Sequence, residues 1–208
     1  MKAFLCLIGA VLLVDGFVPL RLRGQHTRLL ATTNDDEYDV AIFGGGFGGL
    51  YTALALSKSK KKIALVDPSD SFVFLPLLYD LTVGTATEAE VCPSYIDLLV
   101  NTNIRHVKAS LESLGDGTAK IKPCAPSAPS NIFFKAAVVA VGASPILDLV
   151  PGAVSFSQPF YTAKHAKQTR RLLNRLECKE NRIAVVGGGF GGVELAASVQ
   201  RRLPESQV

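Results

Sequence analysis

"AIFGGGFGGLYTALAL" at residues 41–56 returns, with few changes, as "AVVGGGFGGVELAA" at residues 184–197. The shared "GGGFGG" starts at Gly44 and again at Gly187, 143 positions later in a chain of 208 residues. Ahead of the first copy, "YDVAIF" (38–43) is short, β-branched and aromatic, the pattern of a buried strand. Behind it, "LYTALALSKSK" (50–60) is rich in helix formers and closes on lysines, which suit a helix C-terminus. Strand, glycine turn and helix make the first half of a βαβ unit.

Gly44, Gly46 and Gly49 give the spacing G-x-G-x-x-G, and Phe47 and Gly48 complete the turn. In such a unit the first glycine permits the sharp turn. The second lets a pyrophosphate approach the backbone, and the third lets helix and strand pack closely. The helix N-terminus then offers N–H groups and a partial positive charge to the phosphates. A second strand, "KIALVD" (62–67), follows and ends in Asp67, 23 positions after Gly44. An acid at that spacing can accept hydrogen bonds from a ribose diol. The competing reading is a turn aspartate before Pro68; strand, glycines and spacing together favour the nucleotide.

The second copy opens the same way. "RIAVV" (182–186) reads as a strand, Gly187, Gly189 and Gly192 repeat the spacing, and "VELAASVQRRL" (193–203) reads as a helix. No second strand ending in an acid follows before Val208. A nucleotide corner and a glycine loop without a ligand both fit this half-unit.

Between the corners, "FVFLPLLYDLTVGT" (72–85) is apolar and interrupted by Pro76, so it cannot be one regular helix. It is either a packed loop leading into a helix or a wall for a flat ring. "EVCPSYIDLLVNTN" (90–103) reads as a helix. Strands are expected over 104–117, 118–124 and 131–142, with a proline-serine loop at 124–131. "AAVVAVGASP" (136–145) reads as a buried strand ended by Gly142 and Pro145, bringing backbone close to a nucleotide. Thr162 is a candidate N-cap for a helix through Glu177. His106, alone on a strand, reads as structural.

The hydrophobic fraction of 48% is ample for a core. Residues 1–16 carry Lys2 and then an apolar run too short to span a bilayer, the pattern of a signal peptide; a membrane anchor or buried strand is the alternative. Residues 17–36 hold arginines at 21, 23 and 28 ahead of the first acid, as a transit peptide does. The first 34 residues contain four of the 22 Lys/Arg and one of the 18 Asp/Glu, leaving 18 and 17. The basic balance is therefore mostly presequence and gives no basis for nucleic-acid binding. Cys6, Cys92, Cys124 and Cys178 share no metal-binding or C-x-x-C spacing, so zinc and dithiol chemistry are not expected.

"GGGFGGLYTALAL", "VDPSDSFVFLPLLYDLTVG", "NTNIRHVKASLESL", "AVVAVGASPILDLVPGA", "QPFYT" and "AVVGGGFGGVELAA" together resemble the type II NAD(P)H:quinone oxidoreductases, above all the plastid and cyanobacterial kind. The signal-plus-transit pattern with its "GFVP" junction resembles the presequences of secondary plastids, which implies a plastid location. The resemblance implies an α/β fold. A Rossmann-like FAD-binding domain with a parallel sheet and small β-meander would span 37–160, incomplete. The first β-α of a truncated NAD(P)-binding Rossmann domain would span 161–208. FAD would lie on Gly44, Gly46, Phe47, Gly48 and Gly49, with Asp67 on the ribose, Leu111 beside the adenine, and Gly142 and Pro76 on the flavin side. NAD(P)H would lie on Gly187, Gly189 and Gly192.

Glu194 is either a proton relay to a quinone or a helix-N-terminal carboxylate favoured by the dipole. The implied partners are a quinone such as plastoquinone or a phylloquinone precursor, and a membrane surface met by a further C-terminal part. Two other functions stay open: a flavoprotein with a soluble acceptor, and a noncatalytic nucleotide-binding fragment.

Overall fold

The computed structural model describes residues 37–147, 150–176 and 181–208. The signal- and transit-like stretches at 1–36 lie outside the described residues. The chain forms two compact units: 37–69 with Asn101–Gly142, and Asp70–Val100 with Ala143–Val208.

The first unit is built on a sheet. Its strands are β1 (Glu37–Phe43), β2 (Ile63–Val66), β3 (Ile104–Val107), β4 (Ala109–Leu114), β5 (Thr118–Pro123) and β6 (Asn131–Val139), with helix α1 (Phe47–Leu56) joining β1 to β2. The order across the sheet is β3-β2-β1-β6-β5-β4. β1, β2, β3 and β6 run parallel, whereas β4 and β5 add an antiparallel ribbon. The expected parallel sheet with a small meander is therefore present.

β3 and β4 are one run of chain broken at Lys108, one half on each part of the sheet. The core gathers Ala41, Phe43, Ala64, Val66, Ile132 and Phe134 from the parallel strands with Ile121 from the antiparallel ribbon. All four residues of β2 are buried, as a strand covered on both faces requires.

Three expectations needed correction here. α1 stops at Leu56 and does not run on to Lys60. The hydroxyls of Ser57 and Ser59 donate to the carbonyls of Leu54 and Leu56, in competition with further helix. The stretch 136–145 is no buried strand: β6 ends at Val139, and Val139 and Val141 are 54% and 62% exposed. β5 pairs only with residues 131–133, so beyond Phe133 this strand has β1 as its one sheet neighbour among the described residues. The run 104–117 is two strands rather than one.

The second unit is helical. A 3-10 turn at Leu75–Leu77 leads into α2 (Leu78–Val83), and α3 (Glu88–Val91), α4 (Tyr95–Leu98), α5 (Ala153–Phe156), α6 (Ala163–Leu176) and α7 (Phe190–Arg202) follow. Leu78, Leu81, Val91 and Ala166 form its core, and Leu173, Val199 and Leu203 form a second cluster.

The helix expected over 90–103 is divided at Pro93, which cannot continue a helix begun upstream. Its pieces carry separate caps: Thr87 and Glu90 form a capping box on α3, and Ser94 accepts from the Asp97 amide on α4. Thr162 caps α6 as expected, accepting from the His165 amide at 3.2 Å. The strand expected at 182–186 reduces to one bridge between Arg182 and Gln207, and Val186 is 92% exposed. A parallel strand needs neighbours along its length, and among the described residues these backbone groups find only that one. No helix among the described residues is long and apolar enough to cross a membrane.

Candidate functional site

The first corner sits at the carboxyl ends of the parallel strands. There the Gly44 amide donates to Val66 O at 2.8 Å, the Asp67 amide to Val107 O at 3.1 Å and the Ala140 amide to Phe43 O at 2.7 Å. Ligands of open α/β sheets bind outside this edge. Gly44 has φ of +101°, and a Cβ there would lie 2.3 Å from Ala140 O. A Cβ on Gly49 would lie 1.7 Å from Gly44 O, so helix and turn touch with no room for a methyl group. Gly46, the N-cap of α1, has nothing within 4 Å of the same position. Two glycines are thus demanded by the fold, while the middle one faces open space.

Asp67 binds the turn directly. One carboxylate oxygen accepts from the Gly45 amide at 2.6 Å and the other from the Ser69 amide at 2.8 Å. His106 lies beneath, a ring nitrogen 3.3 Å from Asp67 O, consistent with a structural role. Gly142, exposed and at φ of +73°, also has open space around it. Leu111 sits at a register shift in β4, half-buried against the core. Phe47 stacks on Tyr51 with ring centroids 5.9 Å apart. Gly48 is exposed, and a Cβ there would be in ordinary contact with the Ala140 methyl at 3.7 Å.

In the second unit the other corner repeats this construction. Gly187 has φ of +121°, a Cβ on Gly192 would lie 1.8 Å from Gly187 O, and Gly189, the N-cap of α7, faces open space. The first turn of α7 closes by a bond from the Val193 amide to Gly189 O at 3.1 Å, as the Leu50 amide bonds Gly46 O at 2.9 Å in α1.

Pro76 and Glu194 stand 118 positions apart in sequence and line one cavity of about 480 Å³. Tyr79, Asp80, Ala197, Ser198 and Arg201 complete its wall. Pro76 is exposed in the 3-10 turn, whose first positions suit its fixed φ. Tyr79 shares this wall with Glu194, and its phenol is pushed up to about 12, first by burial and then by the Glu194 carboxylate. Sequence reading missed Tyr79 and Arg201, because nothing in the local spacing ties "LLYDL" to the helix after the second glycine turn.

A second hollow, of about 560 Å³, is lined by Lys60, Lys61, Lys62 and Asn103. It lies at the entry to β2, the opposite end of that strand from Asp67, and takes no part in this site.

The chain matches the pyridine nucleotide-disulphide oxidoreductase family over residues 38–207. It is 38% identical to the alternative NAD(P)H-ubiquinone oxidoreductase C1, chloroplastic/mitochondrial, of Arabidopsis thaliana, over 80% of this chain and 36% of that protein. It is 34% identical to the demethylphylloquinone reductase NdbB of Synechocystis, over 80% of this chain and 44% of that protein. The chain therefore spans less than half the length of either relative. Among solved structures it superimposes on NDH2 of Plasmodium falciparum in complex with NADH, with a TM-score of 0.68 and 22% identity over 81% of this chain and 37% of that one, a likeness of fold. Two glycine corners built alike, an acid bonded to the first, and a match running through both place this chain in the pyridine nucleotide-disulphide oxidoreductase family.

Proposed function

We propose that the chain belongs to an FAD-dependent enzyme that oxidises NAD(P)H and reduces a membrane quinone. FAD is assigned to the first corner and NAD(P)H to the second. The observation that carries this is the shared construction of the two corners. In each, the third glycine closes on the first one's carbonyl while the middle glycine leaves its side open.

Such a turn presents bare amides at a helix N-terminus, which suits a pyrophosphate. At the first corner Gly44, Gly46, Phe47, Gly48 and Gly49 would hold the diphosphate of FAD, and Asp67, already fixed on Gly45, would take the ribose hydroxyls. Leu111, Gly142 and Pro76 remain assigned to the adenine and flavin ends. Gly187, Gly189 and Gly192 would hold the NAD(P)H diphosphate. A bound flavin supplies the two-electron chemistry between a nicotinamide and an acceptor.

Glu194 lies on the wall of a cavity with a cation, Arg201, and a phenol, Tyr79. A carboxylate so placed can hold a proton for an acceptor that takes up both electrons and protons, which a quinone does. The similar relatives from Arabidopsis and Synechocystis are named for ubiquinone and demethylphylloquinone, and this reading extends a quinone acceptor to the present chain. The presequence pattern and the chloroplastic/mitochondrial relative support a plastid location. The domain reading, 37–160 for FAD and 161–208 for the start of the NAD(P)H domain, is part of the same proposal.

The test is purification of the chain with FAD, followed by NADH and NADPH oxidation with a short-chain quinone and, separately, with a ferredoxin-type protein acceptor. Flavin at about one per chain with quinone-dependent oxidation supports the reading. Oxidation that runs only with the protein acceptor overturns the quinone assignment, and a chain that holds no flavin overturns the enzyme assignment.

A further inference from the structure

The spacing G-x-G-x-x-G uses Gly187, Gly189 and Gly192 and leaves Gly191 without a task. At the equivalent place in the first corner a Cβ on Gly48 would be in ordinary contact at 3.7 Å, so nothing there requires glycine. Gly191 differs: a Cβ would lie 3.1 Å from the hydroxyl oxygen of Tyr79. Tyr79 comes from α2, 112 positions earlier. Its ring packs on Phe160, with centroids 5.3 Å apart and planes inclined by 33°. Its hydroxyl lies over Gly191, and Tyr79 lines the cavity of about 480 Å³ together with Glu194, one turn further along α7.

We propose that Tyr79 is a positioning residue for Glu194: its phenol donates to the carboxylate and fixes it on the cavity wall, and Gly191 is glycine because a side chain there would displace that hydroxyl. The proposal deepens the proton-holding role given to Glu194 and rests on that reading for its functional meaning. The contact itself does not depend on it.

A carboxylate with one oxygen tied to a rigid phenol has fewer rotamers open to it. Its other oxygen keeps a constant place relative to Arg201 and Pro76, and that is what a group exchanging a proton with a ligand requires. The groups facing Tyr79 are Glu194 and, around the cavity, Asp80 and Arg201. Two of these three are acids, so the neutral phenol is the form that fits, and only the neutral form can donate.

The contact can be read without any turnover. The chain is produced with 3-fluorotyrosine, whose phenol titrates in a milder pH range, and the tyrosine resonances are followed by fluorine NMR as pH rises. Tyr79→Phe identifies the Tyr79 signal by its loss. The proposal expects that signal to titrate above free 3-fluorotyrosine, and to move down in Glu194→Gln but not in the control Glu205→Gln. Gly191→Ala is expected to shift the Tyr79 signal at constant pH. A Tyr79 midpoint unmoved by Glu194→Gln, or a Tyr79 signal indifferent to Gly191→Ala, overturns the positioning role. Circular dichroism of each variant confirms the fold, and Glu194→Asp, which keeps the charge, should restore part of the upward displacement. None of these results depends on flavin binding or quinone reduction, so failure here is distinct from failure of the proposed function.

Discussion

Replacing Gly49 by alanine adds one methyl group at the tightest point of the first corner. Helix propensity alone would favour the change by about 1 kcal/mol, since Gly49 lies within α1 and needs no positive φ. The clearance decides against it. The new Cβ would meet Gly44 O at 1.7 Å and the Ile42 side chain at 3.3 Å, where real Cβ contacts stay beyond 3.0 Å. The obstacle is a backbone carbonyl in a turn that is itself hydrogen-bonded to β2, so it cannot swing aside as a flexible side chain would. Overpacking costs roughly 1–3 kcal/mol even where side chains can adjust, and here helix or turn must move. We expect a net loss of about 2 kcal/mol, which lowers the melting midpoint by roughly 4–8 °C in a chain of this size. Thermal melts by circular dichroism read this directly, with Gly48→Ala, which adds a methyl at an uncrowded neighbouring position, as the control. A Gly49→Ala chain that melts with the wild type or above it would refute the close packing of helix and turn.

Thr87→Ala should remove the cap of α3 at a cost of about 1 kcal/mol, measured by urea unfolding. Asp39 and Lys135 form an ion pair at 2.7 Å that holds the carboxyl below and the ammonium above their ordinary ranges, each chiefly through their mutual hydrogen bond. Its contribution is present above the unfolded carboxylate value of 3.8 and is lost as pH falls through the lower folded value; at the alkaline end it is lost as pH rises through the raised lysine value. Asp39→Asn should therefore flatten the acid limb of stability against pH, and salt should shrink the difference from wild type, since the pair is exposed. Asp67→Asn should weaken FAD binding about tenfold, or about 1.4 kcal/mol, because a carboxamide offers one acceptor oxygen where Asp67 uses two; flavin fluorescence titration measures it.

The first corner was legible because each step is local. Two short apolar strands, a turn that only glycine fits and an acid at the second strand's end are all written within 30 residues. The boundaries that moved did so for reasons spread across the chain. α1 ended early on serine hydroxyls, and the 90–103 helix split at Pro93 between two side-chain caps. Residues 136–139 do form strand, but with β1 as their one sheet neighbour among the described residues Val139 stays 54% exposed, and the strand-like sequence 182–186 keeps a single bridge. Pro76 and Glu194 were named separately from motif positions; only the packing of α2 on α7 shows that they share a wall with Tyr79. Gly191 was invisible for the same reason, since the hydroxyl it makes room for comes from far upstream.

Gly46 separates ligand from fold more cleanly than any other position. It lies at an ordinary φ of −66° with nothing within 4 Å of its missing side chain, so Gly46→Ala should change stability by no more than about 1 kcal/mol. If a diphosphate is seated against this turn, the same methyl group stands where the ligand must approach. Titration of FAD into the wild type and Gly46→Ala, with melts run in parallel, is the direct test. The account predicts saturable binding by the wild type and at least a tenfold weaker constant for a variant that melts alike; equal affinity in the two chains would contradict it.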